Sequence, residues 1–425
     1  MAVVRSSWAL FLGIALMMLG NGLQGSLLGI RASLEGFPTT VTGILMSGYF
    51  AGFLIGSVLA PRLVARVGHV RVFAALAALA SSAILIHAVW IHPAAWTVIR
   101  VVTGFCYAGL YVVVESWLND QATNQTRGQL LSLYMMVMLG AAAGGQWLLN
   151  VADPVGVHLF ILVSVLVSLS SIPLVLSTGP TPAFQAPSRV GVRQLYRVAP
   201  TGVVGYFGTM LAGGAYFGMG AVYGREIGLS VRDISLFMSL ILLGGMVLQW
   251  PIGRLSDAWD RRQVLTGVTF LAALFALLAG VAAERSLLGL FALTALFGGT
   301  NLPLYSLCVA YVNDYLERDQ IVPASGTLVL IGGVGAVFGP ISAAVAMRSF
   351  GPGGFFWWLA AIHAAIGAFA LYRMTRRPAL PRAEQGSYVA VAPQPSPVGS
   401  ALYAEEASEE ARAGVREPDA RIAAR

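Results

Sequence analysis

Apolar residues in this chain come in long, nearly unbroken stretches separated by short polar breaks, without the alternation of a half-exposed strand. A helix needs about 20 predominantly apolar residues to cross a hydrocarbon core about 30 Å thick, and twelve stretches reach that length. They are Trp8–Ile30, Thr40–Pro61, Val70–Trp90, Trp96–Leu118, Leu130–Val151 and Val157–Leu176, then Pro200–Tyr223, Ile234–Ile252, Val264–Ala283, Leu287–Val312, Ser325–Met347 and Phe355–Tyr372. The breaks hold turn residues, such as Glu35-Gly36-Phe37-Pro38, His92-Pro93, Asp153-Pro154 and Gly351-Pro352-Gly353-Gly354. Lipid offers backbone groups no hydrogen-bond partner, so spanning segments are helices or closed barrels. Alternating ten-residue barrel strands are missing. The pattern predicts an all-α membrane protein with twelve transmembrane helices in two pseudo-symmetric six-helix bundles. The first stretch is too long for a signal-peptide core and no small-residue cleavage pattern follows, so it is expected to stay as a span.

Composition narrows the function classes. The chain is 57% hydrophobic and 11% charged, against about 25% charged in soluble proteins. Its mean hydropathy is +0.75. These values exclude a cytosolic enzyme, a nucleic-acid binder and a secreted disulfide scaffold. Cys106 and Cys308 sit inside apolar runs with no metal or redox spacing. The net charge of +7 is a topology signal. With the N-terminus inside, sixteen arginines fall on the inner side, among them Arg5, Arg62, Arg66, Arg71, Arg127, Arg254 and Arg373. Only Arg31, Arg225, Arg232, Arg285 and Arg348 fall outside, which places both termini in the cytoplasm.

The longest internal break, rich in Pro, Gly, Ser and Arg, follows the sixth stretch and divides the chain. The expected organisation is an N-terminal bundle (1–176), a cytoplasmic linker (177–199), a C-terminal bundle (200–375) and a disordered cytoplasmic tail (376–425). The halves repeat. Pro61-Arg62-Leu63 aligns with Gly253-Arg254-Leu255 at an offset of 192, and Asn119-Asp120 with Asn313-Asp314 at 194. Gly140 and Gly144 align with Gly335 and Gly339 at 195. Parallel six-helix repeats are a transporter architecture with the site between the halves at mid-membrane. The four glycines are read as helix-packing positions.

Charges inside spans are the informative residues, since each costs about 2.5–3.5 kcal/mol at a helix centre on insertion scales. Two stand out, Arg100 and Glu115, both in span four. At about 100° per residue, Arg100, Gly104, Tyr107, Tyr111 and Glu115 share one face, with the two charges about 22 Å apart along the axis. Arg100 is read either as biasing a proton site at Glu115 or holding an anionic solute group, or as a structural donor to facing carbonyls. Glu115 is read either as the proton carrier or as an interfacial carboxylate bonded to Arg127 or Arg62. Other mid-span polar residues are candidates to line a cavity: Asn21 and Gln24 in span one, Gln146 and Asn150 in span five, Tyr206 and Tyr216 in span seven, and Thr300, Asn301 and Tyr305 in span ten. The alternative for each is interhelical hydrogen bonding, worth about 0.6 kcal/mol on average. His69 is read as a loop residue and His363 as a packed histidine alone in span twelve.

Gly253-Arg254-Leu255-Ser256-Asp257 followed by Asp260-Arg261-Arg262 resembles the loop motif of the major facilitator superfamily, and Pro61 through Arg71 is its weaker twin. The twin has Pro61 and Ala65 where the motif has Gly and acid. Arg100-Val-Val-Thr-Gly104 resembles the superfamily's span-four motif. Val112 to Ser116, Arg127 to Leu131, Tyr134-Met135-Met136 and Gln249 to Leu255 are similar to its YcaD-like branch. The resemblance implies a bacterial plasma (inner) membrane, a cavity bordered by spans one, four, seven and ten, and a gating loop of Arg62, Arg66, Gly68, Arg71, Gly253, Arg254, Asp257, Arg261 and Arg262. It also implies a monomer in contact with lipid, whose partners are a small-molecule solute and a proton. No cofactor, metal or nucleic acid is expected. Lys is absent, so there is no phosphate-loop lysine for ATP hydrolysis, and no side-chain cluster suggests an enzyme. The expected function is secondary active transport of a small organic solute by alternating access, proton-coupled, with efflux one direction open to it. The alternatives are a non-transporting sensor or scaffold, or a facilitator without proton coupling.

Overall fold

The computed structural model describes residues 8–123, 125–176, 190–392 and 395–407. Spans one to six are Trp8–Leu34, Thr39–Val67, His69–Val89, Pro93–Gln121, Arg127–Trp147 and His158–Val175. A short linker helix, Val192–Val198, precedes spans seven to twelve: Pro200–Glu226, Val231–Ala258, Arg261–Ala282, Leu287–Asn313, Arg318–Phe350 and Gly354–Met374. The described residues contain no strand. Eleven of these helices are long and apolar enough to cross a membrane. Span seven, at 27 residues, matches them in length, while its glycines dilute its apolarity. Several helices outrun the apolar stretches that predict them: span two continues from Pro61 to Val67 and span eleven begins at Arg318, not Ser325. Helical hydrogen bonds do not stop where the lipid does, so charged turns extend the rods into water. His69 accordingly opens span three and is not a loop residue.

Glycines decide which rods touch. A Cβ at Gly52 would meet the Val101 carbonyl oxygen and one at Gly104 the Tyr49 carbonyl oxygen, so spans two and four run backbone against backbone. Spans eight and ten repeat this with Gly244 on Ala295 and Gly298 on Ile241. Spans one and five meet through Gly22 on Ala142 and Gly145 on Leu19; spans seven and eleven meet through Gly214 on Ala336 and Gly339 on Leu211. Gly335 also packs, on Phe207. The equivalent of Gly339 is therefore Gly145, at the offset of 194 that Gly104 and Gly298 share. Pairing it with Gly144 was one residue out, about 100° around the helix. Gly140 is exposed with nothing within 4 Å, and Gly144 makes one side-chain contact with Leu19. Neither is the close-packing position.

The two bundles meet on the side away from the linker. Ser239 Oγ donates to the Ala143 carbonyl at 3.1 Å, Asn150 Nδ2 to Ser235 Oγ at 3.0 Å, and Thr39 Oγ1 to Glu226 Oε1 at 2.7 Å. Gly29 faces Val222, and Gly43 faces Ala344. On the linker side the gap between the bundles is filled by the chain's own C-terminal segment. From Val391 on, the described part of the region expected to be a disordered tail is packed instead: Val391, Ala392, Ser396, Val398, Leu402, Tyr403 and Ala404 are buried, and residues 397–407 are helical. Its apolar residues are too sparse to form a core alone, but they suffice to complete one that already exists. Residues 408–425 of that region, and most of the linker, lie outside the described residues.

Candidate functional site

The inward face of span four is assembled as its periodicity predicts. Arg100, Tyr107, Tyr111 and Glu115 are each at most 4% exposed. Near the middle of the molecule lies a cavity of about 120 Å³ that brings together Asn21, Arg100, Tyr111 and Gln146, with Tyr49, Phe50, Phe217 and Met238 among its walls. Arg100 places its guanidinium carbon 4.6 Å from the centre of the Tyr49 ring. Its Nε has no hydrogen-bond partner, and among the described residues no carboxylate pairs with it. Gln146 is held from both ends, accepting from Ser26 Oγ at 2.6 Å and donating to the Gly22 carbonyl at 3.0 Å. Tyr111 donates to Met18 Sδ at 3.3 Å. The cavity thus carries one desolvated cation, a few fixed polar groups and an aromatic and thioether wall.

Glu115 forms a second centre toward the linker side. Tyr134 Oη donates to Glu115 Oε1 at 3.0 Å. The backbone N–H groups of Ser396 and Gly399 donate to Oε2 at 3.0 and 3.1 Å. Ser396 Oγ in turn accepts from Val398 N at 3.1 Å, so the carboxylate and the serine together cap the first turn of the 397–407 helix. Neither Arg127 nor Arg62 is its partner: Arg127 pairs with Glu405 at 3.4 Å, and Arg62 is exposed.

The remaining cavity candidates lie elsewhere. Tyr206 donates to Tyr305 at 2.7 Å, and this pair borders a smaller cavity with Phe50, Phe53 and Pro395. Asn301 Oδ1 lies 2.9 Å from His363 Nε2, and Thr300 bonds to its own helix. Tyr216 donates to the Phe237 carbonyl inside an aromatic cluster of the C-terminal bundle. Asn150, exposed at the end of its helix, belongs to the contacts between bundles, not to the cavity. Gln24 and Tyr107 are buried beside the cavity but are not part of its wall, and each has a side-chain atom without a partner. A polar residue in an apolar span signals that it must be satisfied, without saying by which neighbour.

The two gating loops differ. Arg62, Arg66 and Arg71 are exposed and make no ion pair among the described residues, with Gly68 at the helix break between them at φ +92°. In the second copy Arg261 is buried. It donates to both oxygens of Asp314 at 2.6 and 2.7 Å, to Asp257 at 3.3 Å, to Ser256 at 3.0 Å and to the Gly386 carbonyl at 2.6 Å. Arg254 stacks on Trp250 at 4.3 Å, Arg262 pairs with Asp260 at 3.4 Å, and Gly253 faces Tyr388. Burial pushes the Asp314 carboxyl up to about 6, against the opposing pull of Arg261.

Residues 10–202 and again 202–403 match the family described as the Major Facilitator Superfamily. The chain belongs to the Major Facilitator Superfamily. Among superfamily proteins similar to it is one from Escherichia fergusonii named uncharacterized MFS-type transporter YcaD. That protein is 27% identical over 350 residues, which are 81% of this chain and 90% of the relative. The solved nucleoside transporter NupG shares the fold with a TM-score of 0.71 at 12% identity, covering 88% of this chain and 99% of that one. The E. coli fucose:proton symporter FucP shares it with a TM-score of 0.53 at 15% identity, covering 88% and 99%. This superfamily member is a multi-pass membrane protein of the transporter kind. Tyr49 and the segment of residues 384–392 and 395–407 escape a reading of the sequence, while Tyr134 and Asp314 are legible there only as parts of motifs, without their partners. Tyr49 had a signal, since it sits beside Gly48 in the Gly48/Gly52/Gly56 row that packs on span four.

Proposed function

We propose that the chain is a secondary carrier that moves a small organic solute across a bacterial inner membrane by alternating access, coupled to protons through Glu115. One observation carries the reading. The bundles close on each other away from the linker, while between them lies a cavity holding Arg100, and the linker side is parted by a separate segment. That arrangement is what one end state of a rocking carrier requires. The arginine bias supports a cytoplasmic linker side. Glu115 is the one carboxylate buried within a span of the N-terminal bundle among the described residues. A fucose:proton symporter among the structural neighbours supports proton coupling as a use of this fold.

The test is counterflow of a panel of small organic solutes in proteoliposomes of the purified monomer, with and without a pH gradient. The carrier reading expects counterflow of at least one solute above protein-free vesicles and net accumulation only with the gradient, whose sign reports import or export. Counterflow with no response to the gradient makes it a facilitator. No flux of any solute leaves the sensor or scaffold reading.

A further inference from the structure

We infer that the central cavity binds an organic anion: a carboxylate or comparable group seated on Arg100, with an apolar body against Phe50, Phe217 and Met238. A guanidinium that is 4% exposed, with an unpartnered Nε and no ion pair among the described residues, is an uncompensated buried charge. Such a charge is strongly unfavourable until an opposite one joins it, and the Tyr49 face offsets only part of that cost. The site is built to hold the cation in place. The Gly48, Gly52 and Gly104 contacts clamp span four against span two, and Gly48 faces Arg100 Cβ. Arg100 borders the cavity, and Asn21 and Gln146 add polar groups near it. At about 120 Å³ the space approaches that of an engineered apolar cavity, about 150 Å³, that accepts benzene. Arginine also presents two parallel N–H donors matched to a carboxylate.

The inference rests on the carrier reading for its transport consequence, but binding tests it alone. The probes are benzoate, hexanoate and benzenesulfonate, set against benzamide, benzyl alcohol and benzylammonium, with thermal unfolding of the full chain in detergent as readout. Stabilisation confined to the anions, lost in Arg100→Gln and partly kept in Arg100→Lys, is the expected result. Gly25 borders the cavity, and a Cβ added there would meet nothing within 4 Å, so Gly25→Leu fills the space without touching the charge and also removes the effect. It serves if Arg100→Gln does not fold. The inference is overturned if neutral or cationic probes stabilise as well as the anions, if no anion does, or if the anion effect survives both variants. Anion binding while no solute of the panel shows counterflow would sink the carrier reading and leave the site standing.

A different observation carries a second inference. Residues 384–392 bond to the C-terminal bundle and residues 395–407 to the N-terminal one. Gly386 and Tyr388 bond to Asp314 and Asp257, Val391 N donates to Ser306 Oγ at 2.9 Å, and Ser396 and Gly399 bond to Glu115. Pro395 borders the smaller cavity, which shares Phe50 with the central one. We propose that this segment is an intramolecular plug on the linker-side route and withdraws during turnover. A Cβ at residue 399 would collide with the Glu115 carboxyl that accepts from Gly399 N, so Gly399→Leu breaks the contact that holds the segment at this end. The reporter is Ser57→Cys, buried in the smaller cavity, labelled with a small maleimide in the full chain with Cys106 and Cys308 replaced by alanine. Labelling at least tenfold faster with Gly399→Leu, together with faster amide exchange across 396–407, is expected. Unchanged labelling despite faster exchange would show that the segment blocks nothing. Unchanged exchange would show that it is not held as described.

Discussion

The backbone N–H of Gly399 donates to Glu115 Oε2 at 3.1 Å across a sequence separation of 284 residues. With Ser396 N on the same oxygen at 3.0 Å, the carboxylate takes the place of an N-cap side chain for a helix that is not its own. A negative charge in that position stabilises a helix start by about 0.3–1 kcal/mol at exposed sites and up to about 2 kcal/mol when buried.

Glu115→Gln keeps the shape and removes the charge. Amide exchange across residues 396–407 should rise about tenfold, matching the loss of about 1.4 kcal/mol. In proteoliposomes the same variant should lose pH-gradient-driven accumulation while retaining solute exchange. Full accumulation by the variant would remove Glu115 from the coupling step.

Tyr49 tests the cation–π contact apart from the charge. Tyr49→Phe keeps the ring under Arg100 and should unfold within a degree or two of wild type. Tyr49→Leu removes it and should cost about 2 kcal/mol, the upper range for a desolvated pair. Equal thermal stability of the two variants would mean that the 4.6 Å approach contributes nothing.

Two glycines five residues apart should behave in opposite ways. A side chain at Gly145 runs into the Leu19 backbone, which cannot rotate away, so Gly145→Ala should destabilise by about 1–3 kcal/mol. Gly140 faces open space, and Gly140→Ala should be neutral or stabilising by up to about 1 kcal/mol from helix propensity alone. Thermal unfolding of both variants in detergent decides.

Asp314 predicts a pH dependence of stability. Its carboxyl titrates near 6 in the fold, against an ordinary value of 3.8, so between those values the folded protein holds a proton that the unfolded chain has released. By linkage, this group's contribution to stability declines as pH rises from about 4 to about 6 and is level above. Asp314→Asn should flatten that slope. Unfolding midpoints at pH 4.5, 6 and 7.5 for both proteins provide the check, and an identical slope in the variant would exclude Asp314 as its source.

Span count, bundle duplication and the charged inward face of span four were legible from residues alone, because each follows from a local rule: apolar length, repeated spacing, and about 100° of turn per residue. Arg100 and Glu115 stood out because charge in an apolar rod is expensive wherever the rod ends up. The gating loop was legible as a motif, but its two copies diverge in a way that only neighbours explain. Arg261 is buried because Asp314 and the Gly386 carbonyl come to meet it, whereas Arg62, Arg66 and Arg71 face solvent.

By itself the sequence determined that this chain crosses a membrane as paired helical bundles and which residues were too polar to be there by chance. The tertiary structure decided which polar residue met which. Tyr206 found Tyr305, Asn301 found His363, and Arg100 found an aromatic ring at the edge of a cavity. It also decided that a polar C-terminal segment packs between the bundles. Helix formation depends on neighbours within four residues, while partner choice depends on how rods hundreds of residues apart are brought together by glycines that allow their backbones to touch.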